Sequence, residues 1–369
     1  MTILFMALFV LGAVLLQNYV YEKLWSKGLT LDFAFSVREA FEGDRLYLSE
    51  ELVNRKFLPL PWLLVKFQIP RGLRLSGETT PDATENYLQC DLFSVMMYKR
   101  IRRKHSFTCQ KRGFYRIRRV DMLCGNLLHT ATFTKQLDCP SELVVFPKPL
   151  DDSNQVDIAF KCIDGMILSN SLINPDVFEF KGIRDYLPSD SLRFVNFKAS
   201  AVSQKLMVNI HAPTSSKRLE IVLNLEPYAA WADYELYEQA IRLAATMARR
   251  YIGEGAKVGL TTNGLDVSAM RPVAVMAGSS GGHLYKIYEA LARVVVPVVC
   301  PPLSRHLDDI AGSEAVYAVI STYHGEDMLA ALDGLEARGI SALLIIPVFK
   351  DVQVSAEESE RVVIWEASE

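Results

Sequence analysis

Residues 178–208 read FEFKGIRDYLPSDSLRFVNFKASAVSQKLMV. The stretch is dense in charge, aromatics and turn residues, and it keeps no single hydrophobic period. It divides the chain. On its N-terminal side the sequence has the texture of short strands, and on its C-terminal side strands alternate with helices. Its own residues suit either an active site or a clasp between two modules.

Working outward to the N-terminal side, LTLDFAF (29–35) alternates apolar with small or polar residues, the period of a half-buried strand. LVKFQI (64–69) continues the pattern, with Leu63, Val65, Phe67 and Ile69 on one face. FTCQKRGFYRIRRV holds a turn signal, Lys111-Arg112-Gly113, between strand-like arms, and LVVFP closes the region. Recurring short strands punctuated by Gly and Pro predict an antiparallel β-sandwich over 29–150. Residues 151–212 are read as a linker leading into the quoted junction.

On the C-terminal side, RLEIVLNL is strand-like. In ELYEQAIRLAATMARRY the residues Leu236, Ala240, Leu243, Met247 and Tyr251 recur at helical spacing. KVGLTTN and PVAVMAG follow as strands, then HLYKIYEALARV as a helix with Leu284, Ile287, Tyr288 and Leu291 on one side. YAVIS, a helix ending at Gly339, SALLIIPV and RVVIWE complete the alternation. This predicts an α/β domain over 213–369 with a mostly parallel sheet covered on both faces.

The N-terminus carries a different signal. Residues 3–16, ILFMALFVLGAVLL, belong to an uncharged run that continues to Val20, close to the ~20 residues a spanning helix needs. No Lys or Arg precedes the run, and QNYVYEKLW is bulky where a signal peptide would be cleaved. The reading is an uncleaved transmembrane anchor over 1–22, with residues 3–20 in the lipid bilayer. Lys23 and Lys27 follow it and place the long C-terminal part in the cytoplasm. The chain is thus read as a single-pass protein of the cell membrane and as an α+β multidomain fold.

A net charge of −3 over 369 residues gives no basic domain of the kind that binds nucleic acid. Cys90, Cys109, Cys124, Cys139, Cys162 and Cys300 form no CxxC pair and have no His at zinc spacing, so reduced thiols and no metal are expected. The basic run YKRIRRKHSF (98–107) reads as a solvated strand edge or turn, with contact to anionic lipid or nucleic acid as the alternative.

The junction resembles a motif of the bacterial DUF58 family, G-I-R-x-Y-x-P-G-D-x-x-R-x-I-D-W-K-A-S-A-R. This chain has Gly182, Ile183, Arg184, Tyr186, Pro188, Asp190, Arg193, Lys198, Ala199, Ser200 and Ala201 in register, followed by Leu206, Met207 and Val208. Ser189, Asn196, Phe197 and Val202 depart from the pattern, so a divergent member is expected. Arg112, Gly113 and Tyr115 echo a second stretch of the family, in its β domain. The resemblance implies a C-terminal von Willebrand A-like domain. It also implies partnership with a MoxR-type AAA+ ATPase in assembly or maturation of a client complex.

Domains like von Willebrand A often hold Mg²⁺ through an Asp-x-Ser-x-Ser loop after the first strand. Here Asn224, Glu226 and Tyr228 stand at those positions and offer a single carboxylate, so no metal and no cofactor are expected. Asp185 and Asp190 with Arg184 and Arg193 could serve acid–base chemistry, but the reading is a structural clasp made by Gly182, Arg184, Tyr186, Pro188, Asp190, Arg193, Lys198 and Ala199, with no catalytic residue. The Gly-rich loop at 278–282 precedes a helix but lacks the G-x-x-x-x-G-K-[ST] pattern. The reading is a non-enzymatic adaptor without nucleic-acid or small-molecule ligands. The alternatives are an enzyme using the junction carboxylates or the Gly-rich loop, and a structural envelope protein.

Overall fold

A computed structural model describes residues 2–75, 86–150, 154–173, 175–188, 190–213, 217–227, 234–297, 300–305, 307, 312, 315–349 and 361–367. The fold is mixed α+β, with one long apolar helix at the N-terminus and open sheets after it. It divides into two units, Met1–Lys148 and Pro149–Glu369.

In the first unit, helix α1 spans Thr2–Leu24. At 1.5 Å per residue it is about 35 Å long, enough to cross a hydrocarbon core. An 18-residue window within it has a mean hydropathy of 2.1, and Ile3, Phe5 and Phe9 are exposed. The base differs from the shaft. Tyr21 and Trp25 are buried at 1% and 4% exposure, inside the core of the unit.

Among the described residues nine strands follow: β1 (Leu29–Phe35), β2 (Glu39–Phe41), β3 (Arg45–Asn54), β4 (Leu60–Pro70), β5 (Leu73–Leu75), β6 (Asn86–Val95), β7 (Arg100–Cys109), β8 (Gly113–Gly125) and β9 (Thr132–Phe146). They form a four-stranded sheet, β1-β3-β7-β5, and a five-stranded sheet, β2-β9-β8-β4-β6. Pairing is antiparallel except between β2 and β9. The alternation read in β4 is real: Leu63, Val65, Phe67 and Ile69 all point into one core that both sheets share. The two arms around Lys111-Arg112-Gly113 join different sheets. Buried Glu42 holds this corner, accepting from the Arg112 and Lys148 backbone N–H groups at 2.8 and 3.1 Å.

The second unit opens with a feature the linker reading of 151–212 lacked. Residues Asn154–Ile173 form a 20-residue helix, α2. Ala159, Phe160, Ile163 and Ile167 bury its inner face, so this stretch belongs to the body of the unit. The junction then folds as a hairpin arm: β10 (Pro175–Asp185), a 3₁₀ turn at Leu192–Phe194, α3 (Phe197–Ser203) and β11 (Met207–Pro213). β10 and β11 pair antiparallel as a separate two-stranded sheet.

The remaining elements are β12 (Arg218–Asn224), α4 (Tyr234–Gly253), β13 (Lys257–Asp266), β14 (Pro272–Gly278), α5 (Gly281–Arg293), β15 (Val294–Val295), β16 (Val316–Ser321), α6 (Glu326–Ala337), β17 (Ala342–Phe349) and β18 (Val362–Ala367). The sheet order is β14-β13-β12-β16-β17-β18, with β15 beside β13. The five strands from β13 to β18 in this order run parallel, and β14 and β15 are antiparallel additions to β13. Every residue of β16 is buried, as expected of a strand covered on both faces. Of the helical stripe read on α4, Ala240, Leu243, Met247 and Tyr251 are fully buried and Leu236 is half-buried. Helix α6 ends at Gly339, whose φ of +76° supplies the left-handed residue that closes a helix.

Candidate functional site

Open α/β sheets place ligands at the carboxyl ends of their strands, and in the second unit a buried carboxamide lattice fills that place. Asn224 ends β12 and is completely buried. Its Nδ2 donates to Ser321 Oγ on β16 at 2.9 Å. Its Oδ1 accepts from Asn263 Nδ2 on β13 at 2.6 Å and from the Glu226 backbone N–H at 3.1 Å. Asn263 Oδ1 in turn accepts from the Leu225 N–H at 2.8 Å. The carboxamides therefore bind three strand ends to each other.

Glu226 lies beside this lattice. Burial pushes its carboxyl up, partly offset by a hydrogen bond from the Leu303 backbone, with nearby Asp327 adding to the rise. Asp327 itself is committed: Tyr323 donates to Oδ1 at 2.6 Å and Ser304 to Oδ2 at 2.9 Å. These bonds hold its carboxyl below the usual range. Tyr228, the third position of the sequence reading, lies outside the described residues.

The junction residues are brought together locally. Arg184 and Asp190 form a two-pronged pair, Nη1–Oδ2 and Nη2–Oδ1 both at 2.6 Å. Asp190 Oδ2 also accepts from the Leu187 N–H at 2.8 Å. The Arg184 bond, followed by the backbone bond, holds the Asp190 carboxyl below its usual range. Pro188 lies inside this closed turn, and Tyr186 N–H donates to the Leu206 carbonyl at 2.9 Å. Gly182 sits beside a register shift between β10 and β11. Arg193 makes no ion pair with Asp190; its guanidinium stacks 4.4 Å from the Phe194 ring.

Asn196, where the family pattern has Asp, caps α3 by accepting from the Ala199 N–H at 2.9 Å, a role Asn and Asp share. Ser200 Oγ accepts from the Met207 N–H at 2.8 Å and ties α3 to β11. Lys198 is exposed, as are Leu187, Leu192, Phe197, Val202 and Leu206. The arm thus turns apolar and basic side chains outward together.

The Gly-rich loop is a helix cap. Ser280 Oγ accepts from the His283 N–H at 3.1 Å, and the His283 ring bonds the Val258 carbonyl at 2.7 Å. A Cβ on Gly278 would come within 2.8 Å of that ring, so glycine is required for the close approach.

Sequence reasoning missed one constellation, in the first unit. Glu50 on β3, His105 on β7 and Asp91 on β6 meet between the two sheets. His105 Nε2 lies 3.3 Å from Glu50 Oε2 and 2.9 Å from Asp91 Oδ2. Asp91 Oδ1 receives Arg103 at 2.9 Å and Gln89 at 3.2 Å. The bonds to Asp91 and Glu50 raise the His105 imidazole to about 9. Burial raises the Glu50 carboxyl to about 7. Burial also works to raise Asp91, but its bonds to His105, Glu50 and Gln89 win and hold it well below its usual value. One signal was legible: Glu50 occupies the inward file of β3 between Leu48 and Leu52. The basic run at 98–107 is half turned inward by the same pleat, with Arg103 and His105 on the core side and Arg100 and Arg102 paired to Glu51 outside.

Burial raises the thiols of Cys109 and Cys124 to about 12 and about 11, and all six cysteines are free.

No family profile matches the chain. It is 22% identical over 321 residues to the uncharacterized protein YeaD of Bacillus subtilis (strain 168), covering 86% of this chain and 75% of that protein. Among solved structures, the sporulation control protein Spo0M of Bacillus subtilis aligns at 8% identity and a TM-score of 0.19, over 43% of this chain and 58% of its own. A cohesin module of Clostridium perfringens aligns at 7% identity and a TM-score of 0.23, over 32% of this chain and 98% of its own. Likenesses this low assign neither fold nor function.

Proposed function

We propose that the protein is a membrane-anchored interaction protein of the DUF58 type, with a β-sandwich and a metal-free von Willebrand A-like domain. The observation that carries this reading is the exposed junction arm. Its motif residues close turns and cap a short helix, while Leu192, Phe197 and Val202 face solvent at 69, 76 and 84%. Exposed apolar side chains gathered on one arm suit docking, whereas acid–base catalysis wants carboxylates converging in a cleft. Asp190 is instead paired to Arg184, and Asp185 is exposed.

The base of α1 supports an uncleaved anchor. A signal peptide removed near residue 20 would take neighbours of Tyr21, or Tyr21 itself, out of the core of the first unit. The engaged carboxamide of Asn224 supports a strand end without Mg²⁺. The family resemblance makes a MoxR-type AAA+ ATPase the expected partner, with the soluble part in the cytoplasm.

Affinity capture of the full chain from membranes tests the reading. The expected result is co-purification of an AAA+ ATPase, lost in a Phe197→Asp/Val202→Asp double variant that still folds. Recovery of the chain without its first 20 residues, or capture unaffected by the double variant, overturns it.

A further inference from the structure

We infer that Glu50, Asp91 and His105 bind a first-row divalent cation, Zn²⁺ by preference, between the two sheets of the first unit. This site is independent of the docking arm and of the strand ends of the second unit.

The donor set comes first. One imidazole and two carboxylates are the mixed nitrogen–oxygen ligands that Zn²⁺ and its neighbours accept, whereas Mg²⁺ and Ca²⁺ prefer oxygen alone. Spacing comes second. Zinc bonds to nitrogen and carboxylate oxygen are about 2.0–2.2 Å, so ligand atoms around a tetrahedral ion lie roughly 3.4 Å apart. Nε2 of His105 is already 3.3 Å from Glu50 Oε2 and 2.9 Å from Asp91 Oδ2, and the three donor atoms lie within 4.8 Å of one another.

A second, independent observation points to a missing partner. Glu50 is wholly buried, at 0% exposure, and its Oε1 has no hydrogen-bond partner. An unsatisfied carboxylate oxygen in a core is costly, and Leu48, Leu52 and Phe107 make this core apolar. A cation satisfies that oxygen by direct or water-mediated contact.

The surroundings support the ligands. Arg103 and Gln89 both bond Oδ1 of Asp91, which leaves Oδ2 turned toward His105. Ligating carboxylates are held in this way by outer hydrogen bonds. The edge of the His105 ring meets Phe67 with centroids 5.7 Å apart, and Arg103 stacks on Phe93 at 4.4 Å. The His105 side chain keeps 10% exposure and Arg103 keeps 40%, so the cluster lies nearest solvent on the Arg103 side. The imidazole releases its proton as the metal binds, since only the neutral ring is a ligand.

The test uses the full chain in detergent, stripped with a chelator and titrated with Zn²⁺ by calorimetry and with Co²⁺ by visible absorption. One ion per chain is expected, with a Co²⁺ spectrum of nitrogen–oxygen ligands and no sulfur charge-transfer band. His105→Gln and Glu50→Gln should each weaken binding by more than about 100-fold, and Gln89→Ala, which only orients Asp91, by about 10-fold. Cys90→Ser should leave it unchanged. Absence of stoichiometric binding in the parent overturns the inference. So does a thiolate spectrum, or binding unchanged in Glu50→Gln and Gln89→Ala. Should His105→Gln fail to fold, the parent spectrum and Gln89→Ala decide.

Discussion

The phenol of Tyr21, three residues before the end of the apolar helix, donates to the Pro59 carbonyl at 2.8 Å from a position 1% exposed. The helix base is therefore part of the core of the first unit. Tyr21→Ala should lower stability by about 3–5 kcal/mol, the cost of emptying an aromatic site. Tyr21→Phe, which loses only the hydrogen bond, should cost about 1 kcal/mol. Thermal unfolding of the full chain in detergent measures both, and equal, small losses would show that the base is not packed.

Asn224 gives a second prediction. Asn224→Ala takes one bond each from the Nδ2 of Asn263, which keeps the Pro301 carbonyl, and from Ser321, which keeps Tyr323, and it leaves the Glu226 N–H without its acceptor, so it should destabilise by about 1–2 kcal/mol. Millimolar Mg²⁺ should leave the parent's melting temperature unchanged, because a ligand bound only by the native state would raise it. A Mg²⁺-dependent rise that Glu226→Ala abolishes would place a metal at the strand ends.

The Arg184–Asp190 pair separates clasp from docking arm. It is exposed on the arginine side, 42% for Arg184 against 14% for Asp190. Asp190→Asn should melt like the parent, because exposed ion pairs contribute little. It should also be nicked faster by protease around 186–192, where the turn has lost its anchor, and should capture less partner from membranes. Melting far below the parent would instead identify an inter-module clasp.

Acid stability should report on Asp266. Arg293 Nε donates to its Oδ2 at 2.7 Å, and the Ser268 and Ala269 N–H groups bond its Oδ1. The Arg293 bond, first among these, lowers its carboxyl to about 2. A depressed folded-state value gives stability that is present above about pH 4 and lost as pH falls through 2. The gap in melting temperature between parent and Asp266→Asn should therefore be constant near neutrality and close below pH 4. A gap that does not narrow would assign the Asp266 effect to packing.

The junction motif was legible residue by residue, yet its geometry was not. Arg184 and Arg193 look equivalent in the sequence. Only the turn at Pro188 decides that Arg184 meets Asp190 while Arg193 stacks on Phe194. Helix α2 escaped the sequence reading although Phe160, Ile163 and Ile167 recur at helical spacing. Asp164 is explained only by its tertiary partners, Tyr251 at 3.0 Å and Arg250 at 3.0 Å.

By itself the sequence determined what depends on neighbours along the chain. The uncharged run makes α1 apolar, the period of two makes β1 and β4 half-buried, and the change to alternating elements marks the mostly parallel sheet of the second unit. These patterns are local because solvent exclusion acts on each element's own face. The Glu50–Asp91–His105 cluster was beyond that reach. Glu50 and His105 are 55 residues apart, and Asp91 comes from the opposite sheet. Strand order and register bring them together, and both are set by packing two sheets around one core, where distance along the chain no longer measures distance in space.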